Sequence, residues 1–545
     1  MDTQRLAALL FPEPLKTPEE YEAMYPKRTL PEGAKVTRLG PSPTGFIHLG
    51  NLYGALADER LAHQSGGKMF LRIEDTDNKR EVEGAAQMIV DTLRYFGISF
   101  DEGDFGDSEI GEYGPYRQRR RVDIYHAYAK KLVLDGKAYP CFCTEEALSQ
   151  MHEKQEAEKA NFGYYGKWAT HRDWTLEQIE EAIGAGMSYV LRFRSDATGK
   201  TFTIEDGIRG ELTMPENDND FVLLKSDGVP TYHFAHAVDD HLMRTTHVVR
   251  GEEWLATLPI HVQLFEALGF ELPTYCHTAQ LMKIDEETNV KRKISKRKDP
   301  EFSLSFYKTE GYDSTAVREY LLMVLNSGFE DWRLQNPGLP FTEFMFSAEN
   351  MGVSGAVFDL NKLNDVCKNV LATKTADEIY DAMAVWAKEY DPEYYALFTR
   401  DPAFSKAFLS IGRGGEKPRK DLYSYKQAKT FNSFFFDELF EMEDSFPENI
   451  SSEDIKKLLT EYLASYNHSD DQSAWFSKVR DIAEANGFAP QVKQYKKDPD
   501  AYKGHIGDVS AVIRIALTGR SNAPDLWCVQ QVLGEEKTKE RLGRI

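Results

Sequence analysis

The stretch Pro41-Ser42-Pro43-Thr44-Gly45-Phe46-Ile47-His48-Leu49-Gly50-Asn51 separates a predicted strand from a predicted helix. Residues 35–39, just before it, are rich in branched side chains and predict a short β-strand. Two prolines and a glycine then prevent either a strand or a helix from continuing. Beyond the loop, Leu49, Leu52 and Leu56 fall at helical spacing, and residues 68–73 predict a second strand. This order is a βαβ unit, which predicts an α/β fold with a parallel sheet.

The loop also has the chemistry of a phosphate-binding site. A helix N-terminus presents unpaired N–H groups and the positive end of the helix dipole. His48 adds a donor that can approach an anionic oxygen, and Gly50 leaves room for a flat ring against the backbone. Ligands of such sheets bind beyond the carboxyl ends of the strands. Taken alone, however, the loop is explained as simply by a proline-rich turn with an incidental histidine.

A basic segment far downstream, Lys293-Ile294-Ser295-Lys296-Arg297, is the second feature of interest. Two lysines and an arginine within five residues suit a mobile loop that neutralises a polyphosphate as charge develops on it. Taken alone, this run is explained as simply by a solvated basic loop.

Together, the two segments resemble the paired signatures of class I aminoacyl-tRNA synthetases. The wording of three segments, Arg38-Leu39-Gly40-Pro41-Ser42-Pro43-Thr44-Gly45, Leu71-Arg72-Ile73-Glu74-Asp75-Thr76-Asp77 and Val249-Arg250-Gly251-Glu252-Glu253-Trp254, is similar to that of bacterial-type glutamyl-tRNA synthetases. The resemblance implies a glutamate–tRNA ligase, which activates L-glutamate with ATP to glutamyl-adenylate. It then transfers glutamate to the 3′-terminal adenosine of tRNA(Glu).

The resemblance also implies the architecture: a Rossmann-like parallel-sheet catalytic domain with an inserted α+β domain, followed by an all-helical anticodon-binding region. A chain of 545 residues is too long for one hydrophobic core. The predicted segments are an N-terminal extension 1–34, a first catalytic half 35–115, an inserted acceptor-end-binding domain 116–239, a second catalytic half 240–300, a stem-contact region 301–375 and helical anticodon-binding domains 376–545. Within the insertion, residues 221–235 predict a hairpin around an Asp-Gly turn.

Composition places the chain among soluble globular proteins, with 41% hydrophobic and 28% charged residues. No apolar run approaches the length of a membrane span, and the N-terminus lacks the pattern of a signal peptide. Five cysteines in so long a chain indicate a reducing compartment. We therefore expect a cytoplasmic monomer that does not bind membranes. The net charge of −22 is compatible with tRNA binding only if the basic residues are segregated on one face.

A glutamate pocket must match two carboxylates and one ammonium once these are desolvated. Arginine binds a carboxylate bidentately, so Arg38 and Arg250 are predicted to take one carboxylate each. Glu74 is predicted to hold the ammonium, with help from neighbouring hydroxyl groups. The predicted glutamate contacts are Arg38, Gly40, Ser42, Glu74, Tyr232, His236 and Arg250. Of these, His236 stands where similar enzymes often have asparagine.

For ATP, the resemblance implies that His48 and Lys296 bind the triphosphate and, with Lys293, stabilise the charge of the leaving pyrophosphate. A Mg²⁺ ion bridging the phosphates is implied as well, held mainly by ATP oxygens and water. The predicted ATP contacts are Thr44, His48, Gly50, Asn51, Glu253, Trp254, Ile294, Ser295 and Lys296. Asn51 departs from the class signature, which has a second histidine there, but glutamyl enzymes commonly vary at this position.

Cys141-Phe142-Cys143 is the one feature that suggests a metal. Some glutamyl enzymes bind zinc through such a Cys-x-Cys together with a tyrosine and a third cysteine. Here Tyr164 matches the tyrosine, but Trp168 stands where the third cysteine should be. Because a structural zinc site needs four donors, the sequence predicts no zinc.

Two other functions are compatible with parts of the sequence. A catalytically silent paralogue that binds RNA or a protein would have no physical reason to keep Arg38, His48, Glu74, Arg250 and Lys296 together. A nucleotidyltransferase of similar fold with a small-molecule acceptor would not need the helical C-terminal region.

Overall fold

The computed structural model describes residues 2–77, 82–295 and 297–544. These residues form two compact units. The first contains the chain up to residue 304 together with 318–359, and the second contains 305–317 and the chain from 360 onward. The six predicted segments are a finer division than these two units, and they stay a prediction.

The first unit contains both parallel and antiparallel strands, and the parallel ones form its centre. The strands are β1 Val36–Leu39, β2 Lys68–Leu71, β3 Glu102–Asp104, β4 Glu109–Ile110, β5 Ala138–Cys141, β6 Val190–Phe193, β7 Thr201–Asp206, β8 Gly210–Pro215, β9 Val222–Leu224, β10 His247–Gly251, β11 Thr274–Thr278, β12 Leu281–Ile284, β13 Lys291–Lys293 and β14 Ala356–Val357. β1, β2 and β3 are parallel, and so are β10 and β11. The Thr246 N–H donates to the Val36 carbonyl at 2.9 Å, which joins β10 to β1 at their starts. The carboxyl ends of these strands therefore meet at one edge, as the βαβ pattern predicts.

The helices up to residue 335 lie in the first unit, except for residues 305–317, which belong to the second. They are α1 Thr3–Leu10, α2 Pro18–Met24, α3 Leu49–Gln64, α4 Ala85–Tyr95, α5 Val122–Leu134, α6 Glu145–Ala157, α7 Leu176–Gly184, α8 Tyr232–Leu242, α9 Leu258–Leu268, α10 Leu304–Glu310, α11 Ser314–Leu325 and α12 Gly328–Gln335. α3 is the predicted helix of the βαβ unit, and it packs against β1, β2 and β10. Gly45 has φ +72°, a left-handed conformation that turns the chain from β1 toward α3.

The predicted hairpin at residues 221–235 is only half correct. β9 forms, and Leu224 bridges Pro230, but α8 begins at Tyr232 where a second strand was expected. β-Propensity suggested a strand there, since aromatic and branched residues are common in strands. In the folded chain, the helix buries Phe234, Val238 and Leu242 completely. Burial of this apolar face therefore outweighs the local preference.

The rest of the insertion mixes strands and helices, as expected. β5, β6 and β9 form an antiparallel sheet, and β7 pairs with β8 in a hairpin. A capping box opens α7: the Gln178 N–H donates to Thr175 Oγ1, and the Thr175 N–H donates to Gln178 Oε1 at 2.8 Å. β7 lies beside β11, since the Gly207 N–H donates to the Tyr275 carbonyl at 2.8 Å. The insertion therefore reaches the catalytic sheet next to Arg250.

The second unit is helical, which confirms the predicted C-terminal architecture. Its helices from residue 360 are α13 Leu360–Thr373, α14 Ala376–Tyr390, α15 Pro392–Phe398, α16 Pro402–Ser410, α17 Tyr425–Asn432, α18 Ser452–Ser465, α19 Gln472–Ala485, α20 Val492–Lys497, α21 Ile506–Thr518, α22 Leu526–Leu533 and α23 Glu535–Leu542. One hydrophobic cluster includes Met383 and Phe398, and another includes Leu458 and Val512. Among the helices of the described residues, none is long and apolar enough to cross a membrane.

Candidate active site

A cavity of about 680 Å³ lies at the carboxyl ends of the central parallel strands. Its volume suits a small molecule such as a nucleotide or an amino acid. Most of the predicted contacts line it: Arg38, Gly40, Ser42, His48, Gly50, Asn51, Glu74, Tyr232, Arg250, Glu253, Trp254, Lys293 and Ile294. Residues from both signature segments and from three strand ends therefore share one cavity, although they are far apart in the sequence.

Three predicted contacts lie elsewhere, and a fourth is outside the described residues. Thr44 lines a separate cavity of about 300 Å³ beside the loop. His236 is fully buried behind Tyr232, and the two rings are stacked with centroids 5.8 Å apart. The Ser295 N–H donates to Asp299 at 2.8 Å, outside the cavity lining. Lys296 is not among the described residues, so its approach to His48 stays a prediction.

His48 precedes the first turn of α3. Its backbone N–H donates to Asn51 Oδ1 at 3.0 Å, which fixes the start of the helix. Its Nδ1 is buried without a hydrogen-bond partner in the described residues, and a Cβ on Gly50 would lie 3.0 Å from that atom. Burial lowers the pKa of His48 to about 4, and nearby Lys293 adds to the effect while Glu253 opposes it. His48 is therefore an uncharged imidazole at neutral pH.

A buried carboxylate that sequence reasoning missed organises the side of the cavity that Arg38 forms. Asp240 accepts from Arg72 Nη1 at 2.7 Å and from Arg38 Nε at 3.2 Å. Burial alone would raise the pKa of Asp240, but these two arginines outweigh burial and hold it well below its usual value. Removing one partner from such a buried pair typically costs about 3–5 kcal/mol. Asp240 thus fixes the guanidinium of Arg38 at the cavity wall.

Glu74 is the acidic group of the cavity. Its Oε1 accepts from Arg72 Nη2 at 2.9 Å. A Cβ on Gly40 would lie 2.2 Å from the same oxygen, so only glycine at that position leaves room for the carboxylate. Burial raises the pKa of Glu74, and the neighbouring Arg72 and Arg38 oppose the rise. A substrate ammonium would supply a further positive partner.

Arg250, at the end of β10, is held from two sides by histidines. Its Nε donates to His277 Nε2 at 3.0 Å, and its Nη1 pairs with His261 Nδ1 at 3.0 Å. The guanidinium carbon lies 4.5 Å from the ring centroid of Tyr275. Its Nη2 is buried and has no hydrogen-bond partner in the described residues. A buried donor without a partner costs free energy, which a bound carboxylate would recover.

The second signature segment begins at Lys293, the last residue of β13, which pairs antiparallel with β12. Arg292 donates to both carboxylate oxygens of Asp299 at 2.7 Å, which links the end region of β13 to Asp299. This hydrogen bonding lowers the pKa of Asp299 to about 2. The fork geometry of arginine makes such a bidentate contact specific. Arg292, just before the basic segment, is thus bound to Asp299, just after it.

Two further contacts lie at the part of the cavity wall that Glu253 and Trp254 form. Gln280 Nε2 donates to Glu253 Oε2 at 3.2 Å, and a Cβ on Gly251 would lie 2.1 Å from the same oxygen. The ring of Trp254 lies 4.5 Å from that of Tyr232, with the planes 39° apart. An aromatic wall next to polar groups suits a purine ring and its ribose.

In the insertion, Cys141 and Cys143 lie next to two other possible metal ligands, Tyr164 and His171. Cys143 Sγ lies 3.3 Å from His171 Nδ1, and Tyr164 Oη lies 3.4 Å from Cys141 Sγ and 3.2 Å from His171 Nδ1. The two thiols and the imidazole nitrogen all lie within 4.8 Å of one another. Hydrogen bonding from Cys143 lowers the pKa of Cys141 to about 3, with His171 and Tyr164 adding to the effect against burial. The expectation of no zinc rested on the missing cysteine, and His171 supplies a donor in its place.

Sequence reasoning missed several groups that this geometry makes important. Asp240, His261 and His277 carry no motif of their own, because each acts through an arginine that is distant in the sequence. Asp240 alone had a weak signal, as a charged residue inside an apolar helical pattern, which is rare unless it is paired.

Comparison with known proteins agrees with this fold. Residues 35–332 match the family described as tRNA synthetases class I (E and Q), catalytic domain. The chain is similar over its full length to a glutamate–tRNA ligase of Acetivibrio thermocellus, at 56% identity over 100% of both chains. It is also 48% identical to one of Clostridium perfringens, covering 99% of this chain and 100% of the other.

A solved structure is similar as well. A glutamate tRNA ligase of Elizabethkingia meningosepticum, solved in complex with its amino acid, has a TM-score of 0.75 at 27% identity. The alignment covers 94% of this chain and 98% of that one.

The fold and the cavity thus define a class I aminoacyl-tRNA synthetase. The full-length similarity is more specific: this chain belongs to the glutamate–tRNA ligase family. The silent paralogue and the small-molecule nucleotidyltransferase are not supported by these comparisons.

Proposed function

We propose that the cavity binds L-glutamate and ATP side by side, and that the chain joins glutamate to tRNA(Glu) in two steps. Membership of the glutamate–tRNA ligase family supports the reaction. The observation that carries the substrate assignment is Arg250, whose buried Nη2 has no protein partner among the described residues. With Glu74 in the same cavity, the charges complement an amino acid that has an acidic side chain.

In the first step, the α-carboxylate of glutamate attacks the α-phosphate of ATP in line, and pyrophosphate leaves. The enzyme forms no covalent bond, so its residues act by positioning and by stabilising charge. Arg38 and Arg250 each take one carboxylate, and Glu74 takes the ammonium. His48 donates a hydrogen bond to the triphosphate as a neutral imidazole, and Lys293 and Lys296 neutralise the charge that develops.

ATP binds between the two signature segments, with Glu253 and Trp254 at the adenosine. Mg²⁺ bound to the ATP oxygens would neutralise part of the phosphate charge. In the second step, the terminal ribose hydroxyl of tRNA attacks the carbonyl carbon of glutamyl-adenylate, an ester forms, and AMP leaves. We assign tRNA binding beyond the cavity to the helical C-terminal region. A cytoplasmic location and a monomeric state stay predictions.

The cluster of Cys141, Cys143, Tyr164 and His171 fits a tetrahedral zinc ion. Two sulfur donors, one imidazole nitrogen and one phenol oxygen converge on one point. Thiolate and imidazole are the donors that zinc prefers. The hydrogen bond between the two thiols lowers the pKa of Cys141 and raises that of Cys143, so the pair loses its first proton readily. We therefore replace the expectation of no zinc with the proposal that zinc holds the turn around residue 168 against β5. The role is structural and lies outside the reaction.

Arg250→Ala tests the substrate assignment. The variant should raise the KM for glutamate by at least about 100-fold, because a substrate carboxylate loses its buried guanidinium partner. The KM for ATP should change little, because Arg250 has no assigned contact with ATP. Pyrophosphate exchange into ATP, measured with glutamate and tRNA present, gives both constants. The control is Arg94→Ala, which removes an arginine whose side chain is 68% exposed. An unchanged glutamate KM in Arg250→Ala would refute the assignment.

A further inference from the structure

We infer that His261 and His277 are positioning residues for Arg250: each, in its uncharged form, accepts a guanidinium N–H and leaves Nη2 for a substrate carboxylate. This inference rests on the proposed role of Arg250. It means that two further residues contribute to glutamate binding, and that this binding depends on their protonation.

The direction of the two hydrogen bonds follows from chemistry. Arginine remains protonated in proteins and has no acceptor, so Arg250 must donate both hydrogen bonds. His277 Nε2 and His261 Nδ1 must therefore carry lone pairs. A protonated imidazole donates from both nitrogens and has no lone pair left. Each histidine can hold Arg250 only while it is neutral.

The contact of the other ring nitrogen fixes the tautomer of each imidazole. His277 Nδ1 lies 2.6 Å from Asp206 Oδ2, so it carries the proton and donates to the carboxylate. Asp206 also accepts the backbone N–H groups of Ile208 and Arg209 at 3.0 and 2.9 Å, which keeps it ionised. His261 Nε2 lies 2.9 Å from His233 Nδ1, so it is the nitrogen that donates. A chain of contacts thus runs from Asp206 through His277 to Arg250, and from Arg250 through His261 to His233.

The surroundings keep both histidines neutral near pH 7. Burial lowers the pKa of His261 well below its usual value, and neighbouring His236 and Arg250 add to the effect. Burial also lowers the pKa of His277, although Asp206 opposes it. The titratable and charged groups that face the pair are Asp206 from β7, Arg209 from the turn after it, Tyr232, His233, His236 and Asp240 from α8, Arg250 from β10, and Tyr275 from β11. Protonating either histidine would place a second cation against Arg250 in a buried site.

A purely space-filling role is the alternative, because both side chains are fully buried. The chain allows a test that separates shape from hydrogen bonding. Glutamine places its side-chain oxygen near the position of imidazole Nε2, and asparagine places its oxygen near Nδ1. His277→Gln and His261→Asn therefore keep an acceptor that does not titrate, while His277→Met and His261→Leu remove the acceptor and keep an apolar side chain.

We expect His277→Met and His261→Leu to raise the KM for glutamate by about 10- to 100-fold, the usual effect of losing a hydrogen bond to a charged group. The KM for ATP should stay within about twofold, since neither histidine lines the cavity. His277→Gln and His261→Asn should restore most of the affinity. In the unaltered enzyme, the glutamate KM should rise once acidification protonates either histidine, which happens below the usual histidine range because burial lowers both pKa values. The variant carrying both His277→Gln and His261→Asn should lose that rise.

Steady-state pyrophosphate exchange, measured from pH 8 down to the lowest pH at which thermal melting still shows a folded protein, gives all of these readouts. Equal impairment of the accepting and non-accepting variants would show that shape alone matters and would overturn the inference. So would a normal glutamate KM in the non-accepting variants. If Arg250→Ala also leaves that KM unchanged, the proposed role of Arg250 fails as well. If only Arg250→Ala impairs glutamate use, the inference alone fails.

Discussion

The imidazole of His48 lies nearly flat against the ring of Phe302, with centroids 4.5 Å apart and planes 14° from parallel. The neighbouring residue, Ser303, forms an antiparallel bridge with His48. The segment that follows the second signature is thus attached directly to the histidine of the first. This contact brings the two signature segments to one cavity.

Phe302→Leu should weaken that attachment without emptying the space behind His48. Aromatic pairs contribute about 0.5–1.5 kcal/mol beyond burial, so glutamate-dependent pyrophosphate exchange should slow by about 3- to 10-fold. The KM for glutamate should not change, because Phe302 stacks on His48, at the part of the cavity that we propose for ATP. Phe476→Leu, at a surface position in the second unit, is the control. An exchange rate equal to that of the unaltered enzyme would show that stacking does not position His48.

Gly40→Ala should impair glutamate binding through Glu74. The new Cβ would lie 2.2 Å from Glu74 Oε1, so the carboxylate must leave its place beside Arg72. We expect the KM for glutamate to rise by about 10- to 100-fold, as for other lost contacts to a charged group. Gly184→Ala is the matched control, since a Cβ there meets no atom within 4 Å. The prediction is wrong if the two alanine variants have the same glutamate KM.

His171→Ala should remove zinc from the insertion. Elemental analysis after exhaustive dialysis should find about one zinc ion per chain in the unaltered protein and much less in the variant, because a site with three donors binds weakly. Cobalt substitution should give thiolate charge-transfer absorption, which requires Cys141 and Cys143. His152→Ala removes an exposed histidine of the same region and should keep the metal. Metal-free unaltered protein, prepared from cells supplied with zinc, would contradict the proposal.

Stability should fall as the medium is acidified from about pH 6.5 to about pH 4. Burial lowers the pKa of His48, His233, His236 and His247 to about 4 in the folded state. In this window the unfolded chain binds more protons than the folded one, so the free energy of unfolding increases with pH. The urea midpoint measured at several pH values reports the slope. His247→Gln, at a site away from the cavity, should reduce it, and an unchanged slope would exclude His247 as a contributor.

Local chemistry made much of the fold predictable. The proline-rich loop, the helical spacing after it and the branched strands around it identify β1, α3 and β2, because short-range geometry decides such elements. The resemblance of four segments then supplied Arg38, Glu74 and Arg250, and all three line the cavity. The helix at Tyr232 was misread as a strand, since propensity does not register the core that its apolar face enters.

The sequence by itself determined the family, the parallel-sheet architecture, the helical C-terminal region and the residue types of the cavity. Only the tertiary structure decided which groups contact those residues. Asp240 accepts a hydrogen bond from Arg38, and His261 and His277 accept from Arg250. His171 lies beside Cys141 and Cys143. These partners are separated from their targets by 11 to 202 residues, and their spacing follows no period. A buried charge must find a partner in space, and the chain can supply it from any element that the fold brings close.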